Sequence, residues 1–334
     1  MPEASVVNGL SLRARIAVAA AVTVLLGAVA VGYVNVAASR AETDRATPAP
    51  AQTLTLDPGP RLLVVSDRRL AVADPADPSA PRQISGLECV RVYAAAGTGV
   101  CIRPDTAWSY QLVVLDRLLR PVKSFPVPGL PNRARVSPSG RMIAWTTFVG
   151  GDSYAAAGFS TRTGILDTRT GTMVSTLEDF TVLRDGKAFR AVDMNFWGVT
   201  FSADDNMFYA TMATGGRNYL VRGDNTARTL QTLTTGVECP SLSPDGTRIA
   251  FKQAVDGDPE HGWRLAVLHL STLAVTTVSE TRSVDDQPAW LDTATLAYTV
   301  RGSDGSPEIW SAAADGSGRP QLLAAGAESP AMLA

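Results

Sequence analysis

Histidine is almost absent from this chain: there are two in 334 residues. Hydrolytic triads need a positioned base beside a nucleophile, and so few imidazoles leave that chemistry little to draw on. His269 sits in the alternating run LAVLHLST, which a place on a strand explains. His261 sits in DGDPEHGW with Asp256, Asp258 and Glu260, a polar loop whose charges ordinary solvation accounts for. No G-x-S-x-G elbow, H-E-x-x-H helix or phosphate-binding glycine loop occurs. Charge of one sign is also lacking, since 30 basic and 32 acidic residues leave a formal net charge of −2. The basic residues are dispersed and form no phosphate-binding stripe, so nucleic acid is excluded as a partner.

Long apolar runs are scarce, with one exception. Residues 16–39 carry no charge, and as a helix they would span a bilayer core of about 30 Å. Arg13 and Arg15 precede the run, which places the N-terminus in the cytoplasm by the positive-inside rule. The expected layout is a cytoplasmic segment 1–15, a signal-anchor helix 16–38, an Ala/Thr/Pro-rich linker 39–59 and an extracytoplasmic domain 60–334. The chain is then a single-pass membrane protein. The alternative is secretion after cleavage, because Val36-Ala37-Ala38 offers small residues at a plausible site.

The rest of the chain repeats one pattern. ECPSLSPDGTRIAFK (238–252) is strand, tight turn, strand, with Ser-Pro-Asp-Gly as turn chemistry. ARVSPSGRMIAW (134–145), GVTFSADDNMFYA (198–210), QPAWLDTATLAYT (287–299) and ECVRVYAAAGTGVCI (88–102) share the layout. Each copy is followed by an outer pair of apolar strands, as in WRLAVLHLSTLAVTTV (263–278) and YQLVVLDRLLRPVKSF (110–125). Four strands recurring every 40 to 65 residues, roughly, describe the blades of a propeller.

Five full hairpins are present, and the ends complement each other. RLLVVSDRRLAVADPADPSAPRQI (61–84) supplies three strands without an innermost one, and ESPAMLA (328–334) supplies one strand and stops. Pairing them closes a sixth blade and removes an open sheet edge. The expected fold is all-β, a six-bladed β-propeller preceded by a transmembrane helix.

The core S-P-D-G-x-x-I-A-F resembles the WD40-like (PD40) repeat of TolB propellers. Together with FWGVTFSADDNMFYAT, YLVRGD, SVDDQPAWLD and AESPAML, it makes residues 60–334 similar to the TolB-like translocation proteins of bacteria. The resemblance implies an extracytoplasmic interaction module with a role in envelope assembly or translocation.

Candidate site residues follow from position. Asp193 and Asn195 in RAVDMNFWG, and Asp285, Asp286 and Gln287 in RSVDDQPAW, precede innermost strands and should approach the channel. One reading makes them a partner-binding mouth. A plainer one makes them loop caps. A third makes them oxygen ligands for calcium in a metal-dependent hydrolase or lactonase. The reading adopted here is a monomeric binding module, not an enzyme, with no cofactor, whose partner is an envelope or extracellular protein or peptide.

Three cysteines remain. Cys89 and Cys101 fall on two arms of one hairpin and can face each other, which an oxidising compartment permits. Cys239 lies about half a turn of the propeller from Cys89, beyond the Cα separation of about 7 Å that a bridge allows.

Overall fold

The computed structural model describes Arg13, residues 54–150 and residues 160–333. The chain divides into units 1–52 and 53–334. The second unit is an all-β, six-bladed propeller.

Six sheets follow one another around an axis. Blade 1 combines the innermost strand Ala327–Met332 with Leu62–Ser66, Arg69–Ala73 and Gln83–Glu88. Blade 2 holds Arg91–Ala95, Thr98–Thr106, Ser109–Leu115 and Pro121–Val127. Blade 3 holds Leu130–Val136, Met142–Val149, Ser160–Asp167 and Met173–Val174. Blade 4 has Asn195–Phe201, Met207–Thr214, Arg217–Asp224 and Thr229–Thr235. Blade 5 has Glu238–Leu242, Arg248–Ala254, Trp263–His269 and Val275–Thr277, and blade 6 has Ala289–Trp290, Thr295–Arg301, Pro307–Ala313 and Gln321–Ala325.

The ring closes as the two chain ends suggest: Leu62 pairs with Met332 and Val65 with Glu328, antiparallel. Blade 4 carries an addition that the repeat pattern does not announce. The hairpin Thr181–Arg184 and Lys187–Phe189 lies outside its fourth strand, paired parallel through Val182 and Leu230. Its turn is Asp185-Gly186, both at positive φ, the type I′ geometry that an Asp-Gly pair favours.

Apolar runs such as LLVV and LVVL are continuous because both faces of a blade are buried. Side chains alternate between faces, so Leu63 and Val65 pack against Val113 and Leu115 of blade 2. Leu62 and Val64 pack the other way, against Ala297 and Ile309 of blade 6. Among the described residues, every seam between neighbouring blades holds one such apolar cluster. Blade 3 uses Gly164 to let the Trp145 ring lie against its backbone, where a Cβ would come within 2.2 Å of that ring.

The Ser-Pro-x-Gly turns explain why the repeat keeps its serine. Ser243 Oγ accepts from the Arg248 amide and donates to Asp245 Oδ1, which locks the turn. Ser137 Oγ accepts from the Met142 amide in the same way. Blade 3 has Ser139 where blade 5 has the aspartate, and Asp205 of blade 4 supplies the missing carboxylate: Ser137 Oγ donates to its Oδ1 at 2.7 Å.

The expected span 16–38 lies outside the described residues, as does most of the linker. Among the described residues no helix is long and apolar enough to cross a membrane. The packed domain begins before residue 60. Leu56 is buried between blades 1 and 2, and its amide donates to Arg117 O.

Candidate functional site

All six innermost strands begin at one end of the channel, around a cavity of about 1290 Å³. We call this end the mouth. Residues 54–60 run across the opposite end, where Gly59 N donates to Leu333 O.

Four of the five predicted residues line the cavity: Asp193, Asn195, Asp285 and Asp286. Two of these act as loop caps. Asp193 accepts from Gly215 N and Thr214 Oγ1, both at 2.7 Å, and those bonds hold its carboxyl below the usual range. Asn195 Oδ1 accepts from the amide and hydroxyl of Thr161 in blade 3. Asp286 is mixed, because it accepts from the Gln287 and Thr299 amides and lies 3.8 Å from Arg133. Asp285 keeps its side chain mostly exposed and meets Lys252 and Arg133.

Gln287 does not line the mouth, contrary to expectation. It is 4% exposed, and its Nε2 donates to Pro240 O at 2.7 Å and Val199 O at 3.3 Å. The side chain of Gln287 turns away from Asp286 and is held by the backbone of blades 4 and 5.

Cations, which position alone did not reveal, organise the site. Lys252 is 6% exposed, bonds Asp285 Oδ1, lies 3.8 Å from Glu238 Oε2 and sits 3.8 Å from the Trp263 ring centroid. Glu238 is 5% exposed and accepts from Asn218 Nδ2. Burial pushes its carboxyl up to about 7, with Lys252 and the Asn218 bond pulling the other way. On the far rim Glu328 bridges Arg91 at 3.3 Å and Arg301 at 3.2 Å, tying blade 1 to blades 2 and 6.

Below the mouth, Arg133 and Arg135 of blade 3 cross toward blade 6, three places around the ring. Arg133 Nη2 donates to Asp285 O at 3.3 Å, and Arg135 Nη2 donates to Pro288 O at 2.5 Å. Two arginines at alternate positions inside the run NRARVSP are a sequence signal for such a plug, since an ordinary buried strand carries none.

Among the described residues, neither histidine stands beside a nucleophile at the cavity. His261 and His269 are exposed and do not line the cavity. Of the loop acids near His261, Asp258 accepts from the Glu260 amide and Asp256 lies 3.9 Å from His261 Nδ1. Among the described residues, no cluster of three or more His, Cys, Asp or Glu is placed to hold a metal ion. Cys89 and Cys101 are joined with Cα atoms 5.5 Å apart, and Cys239 is free and buried.

Solved structures share this architecture. The chain is similar to TolB from Acinetobacter baumannii, with 18% identity, a TM-score of 0.59 and coverage of 82% of this chain and 67% of that one. It is also similar to a putative TolB from Agrobacterium tumefaciens, with 13% identity, a TM-score of 0.51 and coverage of 79% and 87%. No family model and no curated protein matches the sequence. The chain shares the six-bladed propeller fold with these TolB structures.

Proposed function

We propose that the propeller is an extracytoplasmic binding module and that its mouth receives a protein or peptide partner. The observation that carries this reading is the composition of the mouth. Among its described lining residues are six cations (Arg91, Arg133, Arg162, Lys252, Arg282, Arg301) and six carboxylates (Glu178, Asp193, Glu238, Asp285, Asp286, Glu328). Most are held in ion pairs with one another. A balanced and cross-braced surface suits a polypeptide carrying both charges. It does not suit a polyanion, which needs an excess of cations. Loop residues on a rigid scaffold are the usual place for such contacts.

The sequence adds the setting. Residues 16–38 are read as a membrane anchor, and the chain joins the propeller on the face opposite the mouth. An anchored propeller would meet an envelope or extracellular partner, in keeping with the resemblance to TolB-like translocation proteins. Capture of partners from solubilised membranes tests the reading. Arg301→Glu, which reverses an exposed rim charge, should lower capture several-fold while folding is retained. Unchanged capture would contradict it.

A further inference from the structure

The plug beneath the mouth holds more buried positive charge than its neighbours compensate. Arg133 is 9% exposed and Arg135 6%, and the Nε–H of each has no hydrogen-bond partner. They are two residues apart on one strand, so both project from the same face of it. Carboxylates reach Arg133 only loosely, at 3.8 Å from Asp286 and 3.9 Å from Asp285, and Asp285 is already bonded to Lys252. Among the described residues Arg135 has no carboxylate partner. It has the Pro288 carbonyl and, 4.4 Å away, the Tyr93 ring.

A buried guanidinium without a counter-charge is strongly disfavoured, and a buried N–H without an acceptor adds to that cost. That describes Arg135, and Arg133, itself faced by Asp285 and Asp286, adds its repulsion to it. An anion seated against them removes all three penalties at once. We propose that the plug binds a small monovalent inorganic anion of about the size of chloride, held by Arg135 with Arg133 as the second donor. Monovalence follows from Asp285 and Asp286, which already face the pair from blade 6. Small size follows from the burial of both arginines. Gln287 Oε1, beside Pro288, also lacks a partner. As an acceptor it calls for a water beside the ion.

Bromide is the probe. Crystals of the full chain grown in sodium bromide should show anomalous density within hydrogen-bond distance of Arg135 Nε. In parallel, the melting temperature of the detergent-solubilised full chain is followed as chloride replaces gluconate at constant ionic strength. A saturable rise of about 2–4 °C is expected for a domain of this size, and Arg135→Gln should abolish it. If that variant does not fold, Arg133→Lys serves instead, since it keeps the charge, loses the planar fork and should shift the chloride titration to higher concentration. Water in place of bromide at the plug would overturn the proposal, and so would chloride dependence that survives in either variant. Either result leaves the reading of the mouth standing, because partner capture is read separately through Arg301→Glu at the rim.

Discussion

Lys252 Nζ reaches from the second strand of blade 5 to Asp285 Oδ1 at the start of blade 6. The bond joins two blades at the floor of the mouth, and Glu238 stands behind it with only 7% of its side chain exposed. Removing the lysine strips Glu238 and Asp285 of their shared cation. Lys252→Ala should therefore destabilise the propeller by roughly 1–3 kcal/mol, since Glu238 can take up a proton and Asp285 faces solvent. Asp285→Asn, on a side chain that is 68% exposed, should cost less than about 1 kcal/mol. Denaturant unfolding of both variants makes the comparison, and equal costs would remove Lys252 from its organising role.

Glu238 gives this cluster a pH dependence whose sign can be worked out. Its folded value is pushed up to about 7 from an ordinary 4.5. The folded state thus holds the proton more tightly than the unfolded chain does. This contribution is fully present below about 4.5 and is lost as pH rises toward 7. Glu238→Gln should gain about 1–3 kcal/mol at pH 8 relative to wild type and nothing at pH 4. Melting temperatures across that range would show the two curves diverging upward in pH. Parallel curves would mean that Glu238 titrates normally.

The closing strand carries the ring. Ala327, Ala331 and Leu333 are 2% exposed or less, and the strand pairs with Leu62–Ser66. Deleting residues 327–334 uncovers the edge of blade 1 and two apolar seams. Aggregation, or a loss of more than 10 °C in melting temperature, is expected in light scattering and thermal melts. A truncated chain that melts like the intact one would contradict closure.

The Cys89–Cys101 link joins the start of blade 2 to its own second strand. Non-reducing peptide mapping of the purified full chain should find this pair and a free Cys239. Three free thiols would refute the link.

Much of this was legible before any coordinates. The Ser-Pro-x-Gly turns, the two-faced runs LLVV and LVVL and the complementary chain ends define six blades, because each expresses a local rule of turn geometry or burial. The mouth was only half legible. Chain position places Asp285 and Asp286 correctly, but a shift of one residue sends Gln287 inward. Lys252 looks like one charge in the apolar run IAFKQA, and only the pairing of Glu238 with Lys252 across the hairpin brings it to the floor. Asp205 could not be assigned to the Ser137 turn at all, since that contact joins turns 68 residues apart. The Asp185-Gly186 hairpin falls outside the repeat pattern, and its parallel docking on blade 4 depends on tertiary packing.

The central claim is that the partner meets the mouth and not the opposite face. Site-specific photocrosslinking in living cells tests it most directly. The probe is placed at Val192, a mouth residue 82% exposed, or at Leu273, 43% exposed in the turn after Trp263–His269 on the opposite face. The account predicts a discrete crosslinked protein from position 192, lost when Arg301→Glu is added, and none from position 273. A crosslink from 273 alone, or one from 192 that is indifferent to Arg301, would contradict it.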